Sequence, residues 1–195
     1  MSQDIPKPRG RPPSQAAKRK ALAAAFEILM QDGFGRLTIE GVAARSGVGK
    51  PTLYRHWANA SELAMAALME GHPAAAAHPT GSLHDRLEQQ ILGIVTAFAT
   101  TRGRQIGLAL AAADRDSEMT RAFRNRVILS GREAGRALIA EAVASGEITA
   151  PRDGDVCLDM IYAPIFYRLL VGHLPLDRAF ALGLVAQAMA LLKAA

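Results

Sequence analysis

The stretch from Thr38 to Trp57 constrains this chain more than any other, because it reads as two short helices meeting at a tight turn. Thr38 is a good N-cap, and Ile39, Val42 and Ala43 then repeat at helical spacing. Gly47 follows in Ser46-Gly47-Val48, where a helix that turns away needs a residue tolerating positive φ. Gly49-Lys50-Pro51 opens the second helix, with Pro51 in the first turn, where its missing N–H costs nothing. Leu53 and Trp57, four apart, face inward. Lys50, Thr52, Tyr54, Arg55 and His56 are left to neighbouring protein, solvent or a partner. This is the pattern of a DNA-reading helix-turn-helix, although a plain helical hairpin shares the spacing.

Charge favours the first reading. Residues 1–60 hold ten Lys/Arg against four Asp/Glu, whereas residues 61–195 hold thirteen against fourteen. The net +5 of the chain therefore sits on the segment that carries the motif, as phosphate binding requires. A solvated basic tail is the plainer alternative. Half the residues are hydrophobic, Ala is abundant and strand-like alternation is nearly absent, so the composition favours helices. Its 195 residues can bury a sizeable core as one domain or two small ones. No apolar run is long enough to span a bilayer, and the N-terminus is polar and Pro-rich rather than signal-like, so a cytoplasmic protein is expected. A single cysteine, Cys157, rules out an intramolecular disulfide framework.

The run Leu37-Thr38, Val42-Ala43 and Ser46 to Trp57, followed by Glu62-Leu63, resembles the tetracycline-repressor (TetR) family over roughly residues 14 to 70. The resemblance implies an all-α, homodimeric transcriptional regulator, with an N-terminal three-helix DNA-binding domain and a larger C-terminal helical domain for a small-molecule effector. Carried over position by position, Thr38 brings a hydroxyl and helix N-terminal N–H groups to a phosphate. Lys50 would donate to guanine, while Pro51 and the Thr52 methyl would pack on a thymine methyl. Tyr54 and His56 match phosphate-contacting positions, Arg55 either contacts DNA or faces water, and Trp57 belongs to the core. Ala60 departs from the pattern, which often has Lys there, and one charge-assisted phosphate contact is lost with it.

Three domains or segments follow: a flexible basic arm at 1–13, the helix-turn-helix domain at 14–70, and the effector and dimerisation domain at 71–195. The arm has four prolines and can form neither helix nor core. Within it Pro8-Arg9-Gly10-Arg11-Pro12 resembles an AT-hook, so Arg9 and Arg11 either enter the minor groove of A·T-rich DNA or touch phosphates nonspecifically. Helix 1 runs from Ser14 to about Gln31 with a stripe of Leu22, Ala25, Phe26 and Leu29, and Gly33 ends it. Lys18, Arg19 and Lys20 near its start either reach phosphates or form a solvated face. Asn59 and Glu62 form a capping box for helix 4, about 59–71. His72 to Gly81 is a linker. Its His72 and His78 recur at six-residue spacing with His84, which suits no chelating geometry, so neither metal nor cofactor is expected.

Five more helices are expected at about 82–101, 104–112, 117–145, 153–172 and 176–193, making about nine. The last two are apolar nearly all round and need cover on every side, which predicts a twofold four-helix bundle between two copies; deep burial in one monomer is the alternative. Pro164 should kink its helix by removing a hydrogen bond to the Met160 carbonyl. Phe98, Phe123, Met160, Tyr162 and Phe166 are the large groups expected to line an effector pocket, and the shortage of charge on their faces points to a hydrophobic ligand. Cys157 reads as an inert buried thiol. No nucleophile–base pair, Gly-rich phosphate loop or chelating cluster suggests an enzyme. The leading expectation is a homodimeric repressor that reads a palindromic operator on double-stranded DNA and is released by an effector. The rival is an architectural A·T-preferring DNA protein without ligand control.

Overall fold

The computed structural model describes residues 15–70 and 80–194, and every regular element among them is helical. In chain order these are α1 (Gln15–Gln31), a 3-10 turn (Phe34–Arg36), α2 (Ile39–Ser46), α3 (Lys50–His56) and α4 (Ala60–Met69). Then come α5 (Leu83–Phe98), α6 (Thr101–Ala111), a long α7 spanning 118–144, α8 (Gly154–Val171) and α9 (Arg178–Ala194). The α7 run is Glu118–Phe123, a π-helical stretch at Arg124–Leu129, and Ser130–Ala144. The arm at 1–13, Ser14, His72 and His78 lie outside the described residues.

Caps set most of these boundaries. The Thr38 hydroxyl oxygen accepts the Gly41 N–H at 3.0 Å and starts α2. Gly47 ends α2 at φ 68°, in the left-handed region that a side chain would strain. At α4 the Asn59 side chain accepts the Glu62 N–H at 2.9 Å, while Glu62 reaches back to the Ala58 N–H rather than to Asn59, one residue outside the expected box. α6 begins at Thr101, earlier than apolar spacing suggests, because the Thr100 side chain accepts the Gly103 N–H. Asp177 accepts the Phe180 N–H and so delays α9 to Arg178. α8 runs unbroken through Pro164.

The N-terminal helices close around Leu22, Leu29, Ile39, Leu53, Trp57 and Leu63, all buried. α6 then grips this unit in two places. Arg102 Nη2 donates to the Leu68 and Glu70 carbonyls, capping the end of α4, and its guanidinium lies 5.5 Å from the Phe26 ring centre on α1. One turn on, the buried Gln105 accepts the Phe34 N–H at 2.7 Å. Burial lowers the pKa of Arg102. α7 also packs on α4, where the buried Thr120 hydroxyl lies 3.9 Å from Met65 Sδ.

The remaining helices pack α5 against α7 and α9, and α8 against α6, α7 and α9. Leu83, Leu87, Ile91, Leu158, Ile161 and Ile165 form the centre of that layer. Cys157 is buried there, and desolvation pushes its thiol pKa upward.

Candidate nucleic-acid interface and ligand cavity

Helix α3 is anchored from beneath and open above. Leu53 is fully buried and Trp57 is 2 % exposed, so the Thr38–Trp57 pair of helices is pinned by two large apolar groups. Lys50, Pro51 and Arg55 are exposed, Tyr54 is 52 % exposed, and Thr52 is half-buried. Thr38 stands at the N-terminus of α2; its oxygen is used in the cap, but the hydroxyl proton remains available to an acceptor. Lys50 Nζ lies 3.2 Å from Glu40 Oε1 on α2, and Arg55 Nη2 donates to Thr52 Oγ1 at 3.0 Å. Glu40 is held below the ordinary carboxylate range by a backbone N–H and then by Lys50, so at neutral pH it is an anion on a cationic face.

His56 differs from the open-phosphate-contact picture in one respect. Its ring leans on Trp57, centres 5.3 Å apart, and Nε2 is buried without a hydrogen-bond partner among the described residues. Only the remaining nitrogen of that half-buried ring is placed for an outside contact. Arg45 is turned away from α3, paired with Asp32 at 3.7 Å and Gln31 at 3.3 Å. Arg9 and Arg11 lie outside the described residues.

A cavity of about 400 Å³ opens between α5, α7 and α8. Phe98, Tyr162 and Phe166 line it with Ile94, Val127 and Ile128. Phe98 and Phe166 meet edge to face, centres 5.2 Å apart. Two expected members are elsewhere. Phe123 is fully buried in the core, and Met160 is 56 % exposed on the outer side of α8. An all-round apolar helix does not tell from its sequence which side meets the cavity, and Met160 lies on the far one.

The cavity also holds polar groups that the apolar spacing did not reveal. The Tyr162 hydroxyl donates to Gln90 Oε1 at 2.7 Å, and Gln90 Nε2 donates to the Gly131 carbonyl at 2.7 Å. Burial raises the Tyr162 pKa, so the phenol stays neutral. Gly135 makes room for this tyrosine, since a Cβ there would fall on its hydroxyl. At the mouth, Arg132 pairs with Asp155 at 2.9 Å and Asp159 at 3.1 Å, and Arg136 pairs with Asp155 at 2.6 Å. Hydrogen bonding from Arg136 and then Arg132 lowers the Asp155 pKa, so this network is ionised at neutral pH. The π-helical stretch supplies Val127, Ile128 and Leu129 to the wall, three consecutive residues that a regular helix would spread around its circumference. A glycine four residues before another, Gly131 and Gly135, was the sequence signal for close approach on α7.

Comparison with known proteins agrees with this geometry. The profile of bacterial regulatory proteins of the tetR family matches residues 21–67, and that of the tetracyclin repressor-like C-terminal domain matches residues 77–188. The chain is 30 % identical over 169 residues to the DNA-binding transcriptional repressor TetR of Mycobacteroides abscessus, covering 82 % of this chain and 84 % of that protein. It is similar to the crystal structure of the TetR family transcription regulator SCO0332, with 27 % identity, a TM-score of 0.63 and coverage of 91 % and 98 %. It shares its fold with Bacillus subtilis FadR in complex with stearoyl-CoA, at 14 % identity and a TM-score of 0.62, covering 89 % and 98 %. With both its helix-turn-helix segment and its C-terminal helices matched, this chain belongs to the tetracycline-repressor family of DNA-binding transcriptional regulators.

Proposed function

We propose that the chain is a homodimeric repressor of an inverted-repeat operator, released when a largely hydrophobic ligand fills the cavity between α5, α7 and α8. Residues 14–70 form the DNA-binding domain, residues 71–195 the effector and dimerisation domain, and residues 1–13 a basic arm whose Arg9 and Arg11 add minor-groove or phosphate contacts. Lys50, Pro51 and Thr52 meet base edges, while Thr38, Tyr54 and His56 hold the backbone. The observation that carries this reading is the polar face of α3 standing clear of a core that buries Leu53 and Trp57.

Two copies join through α8 and α9. Val156, Met160, Tyr167, Leu170 and Val171 of α8 are each more than half exposed, and they recur at helical spacing along one side. Burying such a stripe against its own copy gives a self-complementary twofold contact. Reading an inverted repeat then requires the two α3 helices to stand about one duplex turn, roughly 34 Å, apart. α6 supplies the link to the ligand, since it packs on α8 and grips α4 through Arg102. A ligand acts only through its different affinities for the DNA-competent and incompetent arrangements. The stearoyl-CoA complex of FadR supports a ligand-responsive reading. The cytoplasm, where the chromosome lies, is the expected place of action, and no helix among the described residues is long and apolar enough to cross a membrane.

Selection of genomic DNA fragments on the purified protein at near-physiological salt tests the proposal. Enrichment of an inverted repeat is the expected result. Broad recovery of A·T-rich DNA without a repeat would instead favour an architectural protein led by the N-terminal arm.

A further inference from the structure

We infer that the cavity selects an uncharged, largely apolar ligand ending in a hydrogen-bond acceptor, with Arg132 reading the acceptor and Asp159 turning anions away. This rests on the effector reading above and names the chemistry of that site. At about 400 Å³ the cavity lies near the small end of the roughly 300–1,000 Å³ range of ligand sites. Its wall is aromatic and aliphatic apart from Tyr162, Arg132 and Asp159.

The hydrogen bonds decide which of these three can meet a ligand. Tyr162 gives its only proton to Gln90, so the phenol has none left for a new acceptor, and Gln90 itself does not line the cavity. Arg132 is different. Its side chain is 19 % exposed, its Nε donates to Asp159, and its Nη2 donates to the side chain and backbone oxygens of Asp155. Nη1 has no partner among the described residues, which leaves it as the donor for an incoming oxygen.

The surrounding charge then sorts acceptors. Arg132, the cation that lines the cavity, already has two carboxylate partners, Asp159 in the same wall and Asp155, which it shares with Arg136. A carboxylate entering here would add an anion to guanidinium groups that already have carboxylate partners. A ketone, ester or amide oxygen takes the Nη1 donor without that repulsion, while its hydrocarbon part fills the space beside Phe98 and Phe166.

Displacement of Nile red from the full-length protein by three matched probes tests this: 6-phenylhexan-2-one, 5-phenylpentanoic acid at pH 7.5, and hexylbenzene. The ketone is expected to bind at least about tenfold more tightly than the hydrocarbon, a charge-assisted hydrogen bond being worth that much, and more tightly than the acid. Arg132→Gln should remove the advantage of the ketone over the hydrocarbon, and Asp159→Asn, at an exposed site, should strengthen acid binding several-fold. Tighter binding of the acid to the unaltered protein would overturn the inference, as would an Arg132→Gln variant that weakens the ketone and the hydrocarbon equally. Failure of all three probes and of the dye to bind would remove the cavity as a ligand site, and with it the effector reading on which this rests.

Discussion

Two helix faces of this protein stand open to solvent, and their chemistry is opposite. α3 exposes Lys50, Tyr54 and Arg55 above a buried Leu53, whereas α8 exposes Val156, Met160, Tyr167 and Leu170 beside a buried Ile161. Exposure of the first needs no cover, because ammonium, phenol and guanidinium groups are well hydrated until a polyanion arrives. Exposure of the second leaves a contiguous apolar stripe of the kind that marks a protein contact. Shape alone would rank the faces alike; their side chains assign one to DNA and the other, in the proposed dimer, to a second copy.

The comparison breaks most visibly at α8. Replacing Met160 and Val171 together by Glu places two charges in each half of the proposed contact without touching the monomer core, since both side chains are more than half exposed. Central apolar contacts of this kind cost about 2 kcal/mol or more each when disrupted, so the dimer should dissociate in sedimentation experiments at micromolar concentration. Operator affinity should fall with it, while thermal stability of the monomer stays within about 0.5 kcal/mol of its starting value. A variant that remains dimeric would assign the stripe to another partner.

Arg102 sits between the two faces and offers the next effect. Arg102→Met keeps much of the contact with Phe26 but removes the donors to the Leu68 and Glu70 carbonyls. Loss of hydrogen bonds from a charged group costs about 1.5–3 kcal/mol, or several degrees in Tm for a chain this long. The sharper readout is coupling: any ligand that weakens DNA binding in the parent protein should do so less in the variant. A full ligand response would take α6 out of the proposed path.

How much of each face was legible beforehand follows from the range of the interactions involved. Thr38, Gly47 and Asn59 act on backbone within a few residues of themselves, so their roles are written in the local sequence. Leu53 and Trp57 needed only helical spacing. Arg102 and Gln105 bind groups more than thirty residues away, and no local pattern announces such contacts. The cavity was harder again. Phe98, Tyr162 and Phe166 line it, but Phe123 and Met160 do not, because α8 is apolar on both sides and the π-helical stretch shifts the register of α7. Arg132 carries no local signal of its own, because its partners Asp155 and Asp159 stand on α8, more than twenty residues further along the chain.

Within α3 itself, two substitutions separate holding from reading. Tyr54→Ala should weaken all DNA by a similar factor, on the order of tenfold, and leave the preferred sequence unchanged. Lys50→Ala should cost about 1–3 kcal/mol on the operator alone and relax preference at one base pair. Binding titrations against the operator and a scrambled duplex, each at several salt concentrations, distinguish them. If both variants lose only nonspecific affinity, the division of roles along α3 is wrong.

The smallest effect belongs to Glu40, which faces Lys50 at 3.2 Å. A carboxylate on a DNA-facing surface repels phosphates, yet it also holds a flexible ammonium in one place, so its removal has two separable consequences. Glu40→Gln keeps the size and the helical position while abolishing the ion pair. Both partners are exposed, so folding stability should be almost unchanged. Affinity for scrambled duplex should rise a few-fold and its salt dependence should steepen by up to about one unit, as Lys50 becomes free to meet a phosphate. Operator affinity should rise less, because Lys50 released from Glu40 spends part of its time away from the base edge. The ratio of operator to scrambled binding therefore falls. Were Glu40 only a repulsive charge, both duplexes would tighten by the same factor and the ratio would hold; a falling ratio identifies it as the residue that aims Lys50.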